Sequence, residues 1–82
     1  MTIQEFKKLS IAELKSSSPS PALDTDVLLE HALNFSKTEL LLKNNNQIEE
    51  EKLKWLYDAL EKRKTGLPVA YITGYKEFYG YN

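Results

Sequence analysis

The chain has 82 residues, of which 41% are hydrophobic and 28% charged, with a formal net charge of −1 and no cysteine. That length supports one domain, burying roughly 60–65% of the unfolded chain's surface, and the balanced charge gives no bulk attraction to phosphate backbones or anionic lipid, so no nucleic-acid and no membrane partner is expected. Without cysteine this chain has no disulfide, no thiolate catalysis and no cysteine-ligated metal.

The first residues, Met1-Thr2-Ile3-Gln4-Glu5-Phe6-Lys7-Lys8, lack the apolar stretch of a secretory signal. The longest aliphatic run is Leu40-Leu41-Leu42, far short of a membrane span. A cytoplasmic location is expected. Thr2 with Glu5 three residues later forms a capping-box pattern, in which hydroxyl and carboxylate each satisfy the other's free backbone N–H. Ile3, Phe6 and Leu9 follow on one side. The spacing predicts one helix to about Lys15, with Ser10 and Glu13 repeating the pattern as an alternative break, and Ser16-Ser17-Ser18-Pro19 ending it.

Ser20 before Pro21 predicts the next start, with Ser20 capping and Pro21 in the first turn, where its missing N–H has no helical partner to lose. This helix runs to about Asn34 or Phe35. Asp26, Glu30 and Asn34 make a narrow polar stripe, while Leu23, Val27, Leu28, Leu29, Ala32, Leu33 and Phe35 cover most of the rest. Such a helix belongs at the centre of a bundle. Ser36 with Glu39 caps a short helix through Leu42, and Asn44-Asn45-Asn46 is a polar turn. A fourth helix is predicted from about Gln47 to Lys64. Ile48, Leu53, Trp55, Leu56, Ala59 and Leu60 form its apolar arc; acidic residues lead and Lys62, Arg63 and Lys64 close it, as the helix dipole favours. Gly66 and Pro68 stop it. Residues 68–73 read as one further turn closed by Gly74. Residues 75–82 are rich in strand formers and read as the start of a β-hairpin without a partner strand. A tail with several uncovered aromatics suggests a piece of a longer polypeptide. The expected architecture is all-α, a small bundle of about five helices over 1–74, with a stub of a linker hairpin at 75–82.

Candidate chemistry is sparse. His31, the single histidine, falls between Val27 and Phe35 on the apolar side, with Asp24 close in projection; with no second ligand or nucleophile at recognisable spacing it reads as a packed, hydrogen-bonded structural residue. Asp24/Asp26 and Glu49-Glu50-Glu51 sit in first helical turns, where the dipole explains them. No catalytic, cofactor-binding or metal-ligating residue is expected in this chain. Arg63 and Lys52 fall within the apolar arc of the fourth helix, their stems over the core. Arg63 has two readings: a pair with a carboxylate or helix-end carbonyl, or contact with a partner. Tyr71, Tyr75, Phe78, Tyr79 and Tyr81 gather at the end of the chain. They suit either a partner surface or a seam with further residues of the same polypeptide. Arg63, Tyr71, Tyr75, Phe78 and Tyr79 are therefore the candidate contact residues.

Two segments carry a family resemblance. Leu23-Asp24-Thr25-Asp26-Val27-Leu28-Leu29-Glu30-His31-Ala32-Leu33-Asn34, continuing into Ser36-Lys37-Thr38-Glu39-Leu40-Leu41-Leu42, is one. Arg63-Lys64-x-Gly66-x-Pro68-Val69-Ala70-Tyr71-Ile72-x-Gly74 with Glu77-Phe78-Tyr79-Gly80 is the more specific other. Together they resemble the N-terminal domain of the HemK/PrmC-type release-factor glutamine methyltransferases. The resemblance implies a helical recognition domain, a linker hairpin and a separate Rossmann-like catalytic domain. That domain uses S-adenosylmethionine to methylate the Gly-Gly-Gln glutamine of a class 1 peptide release factor. The cofactor site and the Asn-Pro-Pro-Tyr substrate motif belong to the catalytic domain, so this chain alone is expected to be non-catalytic. The implied partners are the release factor and the chain's own catalytic domain. A free-standing helical interaction module is the alternative.

Overall fold

The computed structural model describes residues 1–73. Four helices follow in order, α1 (Ile3–Leu14), α2 (Pro21–Leu33), α3 (Lys37–Leu42) and α4 (Glu50–Lys64), and a fifth helical turn, α5, covers 69–73. The expected all-α bundle is present. The expected helix stop at Gly74 and the hairpin stub at 75–82 lie outside the described residues.

The capping box of α1 is formed. The Thr2 hydroxyl accepts from the Glu5 N–H at 3.1 Å, and the Glu5 carboxylate accepts from the Thr2 N–H at 2.8 Å. Loss of the hydroxyl in Thr2→Ala is expected to cost about 1 kcal/mol, read by thermal unfolding. The hydrogen bond from the Thr2 N–H also holds the Glu5 carboxyl below its ordinary pKa. A depressed carboxylate contributes stability that is complete above the ordinary value and fades as pH falls through the lowered one. Glu5→Gln should therefore remove that acid-side component. α1 does not break at Ser10. This serine is fully buried, and its hydroxyl shares a 2.7 Å hydrogen bond with buried Thr25 of α2, so the hydroxyl is used between helices and not as a new start.

The start of α2 differs from expectation. Ser20 occupies the cap position, but its side chain makes no capping bond. Ser18 is turned inward, at 8% exposed. Its hydroxyl accepts from the Ser20 N–H at 3.1 Å and donates to the Asp24 carboxylate. The turn before α2 is thus held through Asp24, two groups at once, which a Ser-Pro pattern does not reveal. At the other end Asn34 adopts φ 58°, a left-handed conformation that Asn tolerates, and the Phe35 N–H closes back on the Glu30 carbonyl at 3.3 Å. Leu23, expected with the apolar cover, stands 51% exposed. The inner face is Thr25, Leu28, Leu29 and Leu33, and Leu23 lies about 200° round the helix from Thr25.

The predicted fourth helix begins three residues too early. Gln47 pairs instead with Thr2 in an isolated antiparallel bridge. The Ile3 and Gln4 N–H groups donate to the carbonyls of Asn46 and Asn44 at 3.1 and 2.8 Å, and the Ile48 N–H donates to the Met1 carbonyl at 2.9 Å. Residues 47–49 stay extended because the N-terminal residues offer them backbone partners, and Ile48 still reaches the core. At the C-terminal end Gly66 takes φ 102°. Its N–H donates to the Arg63 carbonyl at 3.0 Å and the Leu67 N–H to the Lys62 carbonyl at 3.2 Å, the paired closure that favours glycine at this place.

The core joins Ile3 and Phe6 of α1, Leu28, Leu29 and Leu33 of α2, Leu40 of α3, Ile48, and Leu56 and Ala59 of α4. α2 packs against α1, α3 and α4, the central place its composition predicts. Leu53 and Trp55, partly buried, pack on this cluster from the rim, as do Val69 and Ile72 of α5.

Candidate functional site

Six ionisable side chains are engaged in links between helices. Arg63 Nε donates to Asp24 Oδ2 at 2.9 Å, with both side chains 13% exposed, which ties the end of α4 to the start of α2. Of the two readings of Arg63 this is the carboxylate pair. Asp24, near His31 in projection, is directed instead to Arg63 and Ser18. Asp26 pairs with Lys7 at 3.8 Å. Lys64 donates to Glu13 at 2.6 Å, and that bond raises the lysine's pKa. A raised lysine adds stability that is complete below its ordinary value and is lost as pH climbs through the raised one. Glu49 pairs with Lys52 at 3.8 Å.

Tyr71 stands 61% exposed on α5. It is the one contact candidate offered to a partner among the described residues; Tyr75, Phe78 and Tyr79 lie outside them. Four leucines give further apolar surface: Leu23, Leu67, and Leu41 and Leu42 of α3 at 68% and 79% exposed. For Leu41 and Leu42 the signal is the run Leu40-Leu41-Leu42, which at about 100° per residue spreads wider than one packed face of a short helix; Leu40 is the one buried.

Two clefts share His31 in their walls. The His31 ring lies 5.2 Å from that of Trp55, tilted by 31°. On one side is a cleft of about 230 Å³ walled by His31, Ala32, Glu51, Lys52 and Trp55. On the other is a cleft of about 490 Å³ walled by Val27, Glu30, His31, Asn34, Phe35 and Thr73. Glu30 Oε2 is buried and has no hydrogen-bond partner. Among the described residues no three His, Cys, Asp or Glu side chains gather to hold a metal ion. S-adenosylmethionine, which the resemblance implies for a larger protein, does not fit the described residues. Nucleotide-type cofactors rest on glycine turns between strand and helix, whereas Gly66, the single glycine described, is used in stopping α4.

Residues 8–74 match the family described as the PrmC N-terminal domain. The chain is 33% identical over 79 residues to the release factor glutamine methyltransferase of Escherichia coli (strain K12), covering 96% of this chain and 28% of that protein. It is 40% identical over 70 residues to the protein of the same name in Burkholderia pseudomallei (strain K96243), covering 84% and 24%. The Coxiella burnetii (strain RSA 493 / Nine Mile phase I) protein is 34% identical over 82 residues, covering 100% and 30%. The chain thus spans less than a third of the length of these relatives. No solved structure matches it. The matched span runs from within α1 through α5, taking in the Asp24–Arg63 pair and the closure at Gly66, and on that evidence the chain belongs to the PrmC N-terminal domain family.

Proposed function

We propose that this chain is the substrate-docking domain of an S-adenosylmethionine-dependent protein-glutamine methyltransferase, acting on a class 1 peptide release factor in the cytoplasm. The family match over 8–74 carries the reading. The commitment of Asp24, Arg63, Glu13 and Lys64 to links between helices supports it, because those groups serve a scaffold. The catalytic domain supplies cofactor and chemistry, and the helical domain supplies position. Binding energy collected far from the reacting amide is used to orient it, which lowers the entropic part of the barrier. Tyr71, exposed on α5, is the described residue that offers a contact toward the rest of the polypeptide. The domain needs neither nucleic acid nor membrane for this role. Among the described residues no helix is long and apolar enough to cross a membrane.

Calorimetry on the 82-residue chain tests the proposal. A class 1 release factor is expected to bind, and S-adenosylmethionine is expected to give no heat at concentrations on the order of 100 μM. Stoichiometric micromolar binding of S-adenosylmethionine, or methyl transfer by the chain alone, would overturn it. The free-standing module predicts a gene whose reading frame stops after Asn82. The docking domain predicts a frame continuing to Asn-Pro-Pro-Tyr.

A further inference from the structure

We propose that Asp24 and Arg63 are positioning residues: their pair fixes the direction in which the chain leaves the bundle, so that whatever follows residue 73 is held at one angle to the helices. The observation that carries this is where the charged ties fall. Two adjacent residues in the last turn of α4 reach two different helices. Arg63 Nε donates to Asp24 at the start of α2 at 2.9 Å, and Lys64 Nζ donates to Glu13 near the end of α1 at 2.6 Å. The first pair is 13% exposed on both sides, and the Ser18 hydroxyl holds its carboxylate as well. A pair so sheltered is screened less than a surface one; the Lys64 pair is more exposed and adds less. Leu28, Leu29, Leu56 and Ala59 already join α2 to α4 further along. The charged ties sit instead at the end from which the chain continues into α5.

The residues after that turn are tied to it step by step. The Thr65 hydroxyl donates to the Lys62 carbonyl at 2.7 Å. The Gly66 N–H donates to the Arg63 carbonyl at 3.0 Å, and the Leu67 N–H to the Lys62 carbonyl at 3.2 Å. Pro68 has its φ fixed by its ring, and its carbonyl accepts from the Tyr71 and Ile72 N–H groups at 3.0 and 3.3 Å. The Thr73 hydroxyl reaches back to the Val69 carbonyl at 3.1 Å. The carbonyls of Lys62 and Arg63 therefore carry the elbow, and the Arg63 side chain decides where they point. A helix of one turn does not hold itself, and α5 rests on the core through Val69 and Ile72. Its seat depends on the angle at which the elbow delivers it.

The purpose of the elbow rests on the docking reading: a domain that holds a substrate orients its reacting group only if the joint to the catalytic part does not swivel. Backbone N–H residual dipolar couplings of the 82-residue chain, recorded well below its unfolding transition, read the angle. Residues 67–73 are expected to fit the alignment of α1–α4. Asp24→Asn keeps the shape and removes the charge. Its couplings over 67–73 should shrink by about half through averaging, while α1–α4 keep theirs. The double variant Asp24→Ala, Arg63→Met should regain part of the lost Tm and none of the lost couplings, a separation that a merely stabilising pair would not give. Thr2→Ala, which loosens the cap of α1, should lower Tm and leave 67–73 aligned. Misfit of 67–73 in the unaltered chain, full couplings in Asp24→Asn, their return in the double variant, or an equal loss in Thr2→Ala overturns the proposal. In the full gene product, Asp24→Asn should lower kcat/KM for an intact class 1 release factor about tenfold and leave a short Gly-Gly-Gln peptide unaffected. Equal effects on the two substrates sink the positioning role. Absence of methyl transfer by the unaltered protein sinks the docking reading, and the couplings alone then decide the elbow.

Discussion

Phe6→Ala is expected to lose about 3–5 kcal/mol of folding stability, the range for truncating a large buried aromatic. Phe6 is fully buried in the central cluster, its ring edge-on to Tyr57 with centroids 6.1 Å apart. It is the largest of the fully buried side chains. Its removal opens a cavity where α1 meets α4, and the neighbouring residues close it only in part. A domain of this size holds about 4–12 kcal/mol in total, so the variant spends a large share of that and its Tm should fall by more than 10 °C. Phe6→Leu, which keeps most of the volume, should lose under about 1.5 kcal/mol. Chemical denaturation followed by circular dichroism measures both. A loss below about 1 kcal/mol for the alanine variant would mean that α1 is not seated as described.

The second large effect concerns Asp24. Asp24→Ala leaves the Arg63 guanidinium, 13% exposed, without its carboxylate, and takes the acceptor from the Ser18 hydroxyl. Breaking a buried ion pair from one side costs about 3–5 kcal/mol; this pair keeps slight solvent contact, so about 2–4 kcal/mol is expected. The double variant Asp24→Ala, Arg63→Met should recover part of that loss, because the stranded charge is then gone. If the single variant is as stable as the parent, the pair is no more than a surface contact.

Helix content was readable because local chemistry and packing agree in this chain. The Thr2–Glu5 and Ser36–Glu39 boxes, Pro21 and Gly66 are decided by groups within five residues of one another, and all four act where the sequence put them. The misreadings share a cause at longer range. The start of α4 moved because residues 1–4, forty or more positions away, pair with 44–48. Near Ser20 the Asp24 carboxylate is held by Ser18 and by Arg63, 39 residues on, a tie that the local pattern does not show. A helical wheel placed Leu23 inside because it counts apolar neighbours and cannot show which side is covered. At the site, a wheel put Glu30 in a polar stripe. Only the fold reveals that one of its oxygens is shut away from water beside an open cleft.

The bridge between Thr2 and Gln47 has one more consequence. Chain ends usually fray, exchanging their amide hydrogens with solvent at little free-energy cost. Here the Ile3, Gln4 and Ile48 amides are tied across that bridge, and Ile3 and Ile48 are anchored in the core. The leading residues therefore cannot peel away without dislodging the loop before α4. Amide exchange at Ile3, Gln4 and Ile48 is therefore expected to be slower than at an untethered chain end.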